Sequence, residues 1–243
     1  ERLRPELYSA VSGLDRVLVI CRHQPKWAIT FMSSSSVFAD SLIVFPFSTY
    51  STFCSLQCFP HEIWARFFGS SMGDTLRYNP SDCFETFPFP ENWENHPALE
   101  ELGQTYYEFR ADLMVKNNEG LTKTYNRFHD PDEYDPEILK LRELHAAMDR
   151  AVLDAYGWTD ISTDCEFLFD YQIDEEEEGL RKKKPWRYRW PDEVRDEVLA
   201  RLLELNAERA REEASSGTTA KKHGKKTSAK PASKQTEMGD LFS

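Results

Sequence analysis

The apolar residues of this chain change period once, near Ser48, and that change limits the fold more than any other feature. Before it they come in three short runs rich in β-branched and aromatic residues: 16–22 (RVLVICR), 27–32 (WAITFM) and 41–47 (SLIVFPF). Turn-forming stretches, 23–26 (HQPK) and 33–36 (SSSS), separate them, as strands require. After Ser48 the spacing is helical. Tyr50, Phe53 and Leu56 precede Pro60, and Ile63, Trp64, Phe67 and Phe68 follow it up to a stop at Gly69. Strands first and helices afterwards is the order of an α+β fold. Three short strands rarely stand alone, so this sheet must continue upstream or pack on a helix.

Residues 84–97 hold three prolines, Pro88, Pro90 and Pro97, among Phe84, Phe87, Phe89 and Trp93. That is too rigid for a helix and too apolar for a free linker, and predicts a strap laid across a surface. Amphipathic helices are expected at 99–115, at 136–156 with Gly157 as its stop, and from Pro191 to about 213. The 243 residues thus divide into a β-rich unit over 1–90, incomplete at its N-terminus, a helical region over 91–214 and a disordered basic tail over 215–243.

A net charge of −12 hides an uneven distribution. Residues 91–179 carry 7 basic and 24 acidic groups, whereas 180–214 carry 10 and 8 and 215–243 carry 6 and 2. The acid is concentrated in one central block, so either flank remains free to face phosphate. Five cysteines, odd in number and without a C-x-x-C pair, point to reduced thiols and a cytoplasmic protein. No apolar run approaches the ~20 residues of a membrane helix.

Several chemistries are excluded. No two glycines are separated by one residue, so there is no G-x-G loop for a dinucleotide or adenosylmethionine, and no G-K-[ST] marks a P-loop. No lysine follows an acid by two positions, which removes the D/E-x-K half of a metal-dependent nuclease. Cys54, Cys58 and His61 are too few for a zinc site, and Pro60 interrupts their helix, so a buried helix face is expected instead. The cluster His129, Asp130, Asp132, Glu133 reads as a solvated helix-entry loop, and His145 as a satisfied core residue. Neither a catalytic residue nor a metal ligand is assigned.

Five strings, in order, carry a resemblance: 64–71 (WARFFGSS), 77–90 (RYNPSDCFETFPFP), 125–128 (YNRF), 144–158 (LHAAMDRAVLDAYGW) and 188–195 (YRWPDEVR). Together they resemble the C-terminal part of large adenine-specific DNA methyltransferases of the type IIG restriction-modification class, including relatives from phage-defence systems. The resemblance covers roughly residues 16–206 and is the part that reads target DNA and helps hold it. It implies a catalytic half outside this chain, in the same longer polypeptide or a partner subunit. That half would bind S-adenosyl-L-methionine and flip the target adenine, with no cofactor on this chain. Asn79-Pro80-Ser81-Asp82 lacks the second proline and stacking aromatic of the catalytic tetrapeptide in that family.

Under this reading double-stranded DNA is the partner. The turn 22–26 offers Arg22, His23, Gln24 and Lys26 at a hairpin tip, with guanidinium and amide groups of the kind that pair with guanine and adenine edges; a plain solvated turn fits equally well. Arg77 and Tyr78 either contact DNA or anchor the strap. Lys123, Asn126 and Arg127 lie in a polar loop between helices that suits backbone contact. Lys183, Arg187 and Arg189 belong to an aromatic-interleaved basic strip that either tracks phosphate or neutralises the acidic run 174–178. Gln235, Met238, Leu241 and Phe242 resemble a short motif that docks on replication sliding clamps, or a hook onto the chain's own core. The alternative from a different class is a non-catalytic adaptor subunit of a defence complex.

Overall fold

The computed structural model describes residues 5–72, 75–169 and 186–215. Its first layer is a three-stranded antiparallel sheet in the order β3-β1-β4, formed by β1 (Arg16–Cys21), β3 (Thr30–Ser33) and β4 (Leu42–Phe45). The register sets Leu18 opposite Phe31 and Phe45, and Ile20 opposite Ile43. Side chains alternate across a strand, so Leu18 and Ile20 enter the main core while Val17 and Val19 face the other way. That second face is covered by α1 (Pro5–Ala10) and the turn after it, through Leu7, Tyr8 and Val11. Both faces of the sheet are therefore covered, which explains why β1 is apolar and buried from Val17 to Ile20.

The helical pair that follows is broken where the sequence predicts. Helix α2 (Tyr50–Gln57) starts at Thr49, whose hydroxyl accepts from the Thr52 N–H at 3.3 Å. It ends at Cys58, held extended with φ −64° and ψ 158°, and α3 (Phe59–Phe68) begins with Pro60 in its first turn. The orphan N–H of Phe59 donates at 2.8 Å to the carboxylate of Asp149 on α7 (Pro136–Ala155). His145 Nδ1 lies 3.1 Å from the other oxygen of that carboxylate. A buried acid on one helix thus caps another.

Helix α5 (Pro97–Asn117) crosses α2 at a point that only glycine permits: a Cβ on Gly103 would stand 2.3 Å from the Tyr50 carbonyl oxygen. Arg110 of α5 is 1% exposed and donates to the Tyr125 hydroxyl at 2.9 Å and the Ile29 carbonyl at 2.8 Å, tying the helices to the sheet. The strap is present. Phe84 packs on Phe45 at 5.2 Å between ring centroids, Phe87 on His61 at 4.6 Å, and Phe89 stacks on Trp93 at 3.9 Å. Its carbonyls accept from Tyr156 at 3.0 Å and, on α8 (Asp192–Ser215), from Arg209 at 2.7 Å. One continuous core runs from Leu18 to Leu202, across the junction at residue 90.

Two expectations change. Residues 121–128 are helix α6 (Leu121–Phe128), not a loop, and Arg142 of α7 holds its end by donating to the carbonyls of Phe128 at 2.9 Å and Asp130 at 2.9 Å. The region after α7 is not wholly helical: β7 (Glu166–Phe169) and β8 (Trp186–Arg189) pair as an antiparallel ribbon. Residues 216–243, including Gln235, Met238, Leu241 and Phe242, lie outside the described residues, as do Lys183 and the acidic run 174–178.

Candidate nucleic-acid interface

The turn after β1 is not a free hairpin tip. Arg22 N–H donates to the Ser41 carbonyl at 2.7 Å, and His23–Gln24 form strand β2, which pairs antiparallel with β6 (Thr75–Arg77). β6 pairs in turn with β5 (Ser70–Met72), making a second sheet in the order β2-β6-β5. Gly69 joins α3 to β5 at close quarters, since a Cβ there would meet the Ala65 carbonyl oxygen at 2.4 Å.

The pairing sorts the predicted residues by face. His23, Arg77 and Ser70 stand on one rung of this sheet and all three are exposed. Gln24 and Leu76 form the next rung and are buried. Gln24, expected at an exposed tip, is only 5% exposed, and its amide nitrogen has no hydrogen-bond partner. The reason is the period of two: with His23 facing out, its neighbour must face in. Phe67 and Phe68, 55% and 39% exposed, end α3 immediately before Gly69. Phe68 rests on the buried Trp64 at 4.5 Å, so these rings stand on a rigid base.

The other predicted cations are mostly committed inside the fold. Arg22, half-buried, donates through Nε to the Asp40 carbonyl at 3.3 Å. Tyr78 is fully buried, its ring 5.8 Å from Trp27 and its hydroxyl 3.0 Å from His61 Nε2, so it anchors the strap and sheet. Arg127 binds three carboxylates, Glu133 at 2.6 Å, Asp135 at 2.8 Å and Glu119 at 3.4 Å. Of these acids only Glu133 belongs to the cluster expected as a solvated helix-entry loop; Asp130 and Asp132 of that cluster are exposed. Arg187 is 3% exposed and donates to the Pro25 carbonyl; Arg189 is 7% exposed and donates to Asp192 at 2.7 Å and the Phe169 carbonyl at 3.2 Å. Both point inward rather than along a surface strip. Lys123 and Asn126 are exposed on α6, and Lys26 is half-buried. The rung of His23 and Arg77 is thus the exposed predicted pair that the second sheet brings together.

Asn79 of the recognised string is used locally: its amide donates to the Asp82 carboxylate at 2.5 Å beside the short helix α4 (Pro80–Cys83). Burial raises the thiols of Cys54 and Cys58, keeping them protonated, and pushes His61 down to about 3, keeping it neutral. Among the described residues no group of three or more metal-ligating side chains clusters. His129 is buried and neutral, pushed well down by burial and then by the charges of Arg187, Lys26 and Arg66. Its Nδ1 accepts from the Tyr188 N–H at 3.1 Å. Sequence reading missed Arg66 and Trp190 as its neighbours, because only folding places α3 against β8.

No family model and no curated protein matches the chain. Among solved structures it is similar to the type IIL restriction-modification enzyme MmeI, solved in complex with DNA. The TM-score is 0.56 at 20% identity, over 82% of this chain and 22% of MmeI. The likeness is one of fold, and the chain spans about a fifth of the length of that neighbour. No helix among the described residues is long and apolar enough to cross a membrane.

Proposed function

We propose that this chain is the duplex-DNA-reading part of an adenine-N6 DNA methyltransferase of a restriction-modification or phage-defence system, acting in the cytoplasm. The observation that carries the reading is the likeness in fold, over most of the chain, to a restriction-modification enzyme solved with DNA. The exposed rung of His23 and Arg77 on adjacent strands of the second sheet supports it, since donors presented side by side on a rigid support are what groove readout needs. Phe67 and Phe68 flank the rung with apolar surface suited to sugar and base edges.

S-adenosyl-L-methionine is assigned to the catalytic half. The chain has no G-x-G loop, and Asn79 is spent on Asp82 rather than on a flipped base. What these residues contribute is position. They fix the register of the duplex while a catalytic domain, in the same polypeptide or a partner subunit, extrudes adenine and methylates it.

The test is fluorescence anisotropy of the 243-residue chain with duplexes of varied sequence, over a salt series. Binding that differs between duplexes is expected. Arg77→Ala should remove ~1–3 kcal/mol at one base pair if Arg77 reads a base, or lower the salt slope by about 0.9 if it contacts phosphate. Equal, weak binding to every duplex, unchanged by Arg77→Ala, refutes DNA reading. It favours the adaptor alternative, for which the acidic block of residues 91–179 would be the docking surface.

A further inference from the structure

Between α3 and β8 lies a small cavity of about 20 Å³ whose wall includes Glu62, Arg66, His129, Arg187, Arg189 and Trp190. That volume holds one atom of oxygen size. Its wall is rich in donors. Trp190 is 1% exposed and its indole N–H has no hydrogen-bond partner, an arrangement that ordinarily costs free energy unless a ligand or water accepts. His129 accepts through Nδ1 from the Tyr188 backbone, so its Nε2 carries the ring proton of the neutral form. Glu62 is the carboxylate in this wall, and Arg66 already binds it at 2.8 Å.

The position is informative as well. Arg187 donates to the carbonyl of Pro25, two residues after His23. The cavity is thus joined through Arg187 to the turn that follows the exposed rung.

We infer that this cavity is an oxyanion site of the phosphate class: one oxygen enters and accepts from the Trp190 indole N–H, while Arg66 and Arg187 supply the charge. The phosphorus and its remaining oxygens stay at the mouth. The same chemistry is offered by a backbone phosphodiester of DNA and by free phosphate. The DNA source rests on the function proposed above, whereas the free-phosphate source does not.

The experiment uses the full chain with ¹⁵N-labelled tryptophan. Trp190→Phe identifies the Trp190 indole resonance, or contacts to Phe59, whose ring lies 5.5 Å away, identify it if that variant does not fold. Inorganic phosphate is titrated at constant ionic strength against chloride. A saturable shift of the Trp190 resonance is expected, with Arg66→Gln weakening the affinity by about tenfold, the ratio that 1.4 kcal/mol produces. A duplex that moves the same resonance and is displaced by phosphate identifies the DNA backbone as the source. A shift with phosphate but none with a duplex identifies free phosphate. No shift of that resonance with phosphate or with a duplex overturns the proposal and leaves the cavity to water. A duplex that fails to bind by anisotropy refutes the DNA-reading function separately, and the phosphate titration still decides the cavity.

Discussion

His61 should make this protein acid-sensitive well above the usual carboxylate range. The ring is fully buried among Trp27, Tyr78, Phe87 and Phe89, and burial pushes its pKa from 6.5 to about 3. In the unfolded chain the ring takes a proton near pH 6.5, and in the folded chain it stays neutral. Between these values the unfolded state binds more protons, so stability falls as pH drops. The slope for one such group is about 1.4 kcal/mol per pH unit, reaching roughly 4–5 kcal/mol between pH 6.5 and 3. His129, also held neutral by burial, adds in the same direction. Asp149, whose carboxyl is raised by burial, opposes them in the acidic part of the window, because its folded form takes up a proton first. Urea unfolding at pH 7, 6 and 5 measures the slope. His61→Gln keeps a partner for the Tyr78 hydroxyl, which lies 3.0 Å from the ring nitrogen, but cannot titrate. The variant should lose about 1.4 kcal/mol per pH unit of the wild-type dependence between pH 6 and 5. An unchanged dependence would show that His61 is not the buried neutral base described here.

Three further outcomes follow from packing. Gly103→Ala forces a Cβ onto the Tyr50 carbonyl oxygen at 2.3 Å, a backbone collision that should cost about 2–4 kcal/mol of unfolding free energy by spreading α2 from α5. Arg110→Met leaves the Ile29 carbonyl and the Tyr125 hydroxyl short of a buried donor, which should cost about 2–4 kcal/mol in the same urea assay. Cys54 and Cys58, buried and held protonated, should resist a thiol-specific reagent in the native state, while the exposed Cys21 reacts. Fast labelling of all five cysteines without unfolding would contradict that burial.

What was legible in the sequence follows the range of the forces involved. The break between α2 and α3 at Pro60, the long helices α5, α7 and α8, and the Pro- and Phe-rich strap are set by neighbours within a turn or two. Proline geometry and apolar period write such features locally. Helix α6 was misread because Thr122, Thr124 and Asn126 have weak intrinsic helix preference. Its helicity comes from Tyr125 and Phe128 entering the core, and from Arg142 taking up the carbonyls at its end. The β7–β8 ribbon escaped notice because Glu166–Phe169 and Trp186–Arg189 are each too short to signal a strand alone.

The candidate interface divides along the same line. The sequence by itself determined an α+β chain, the sites where helices stop, the absence of a glycine loop, and the strings that resemble a DNA methyltransferase's recognition region. Only the tertiary structure decided which polar side chains are on offer. Pairing of β2 with β6 turns His23 and Arg77 outward and Gln24 inward, and carboxylates drawn from three positions around α6 hold Arg127. Packing of β8 against α3 withdraws Arg187 and Arg189 from the surface and brings Trp190 and His129 into the wall of one cavity. The physical reason is that a side chain's identity fixes what it can bond to. Whether that bond is made to solvent, to DNA or to the protein's own backbone depends on contacts between residues far apart in the chain.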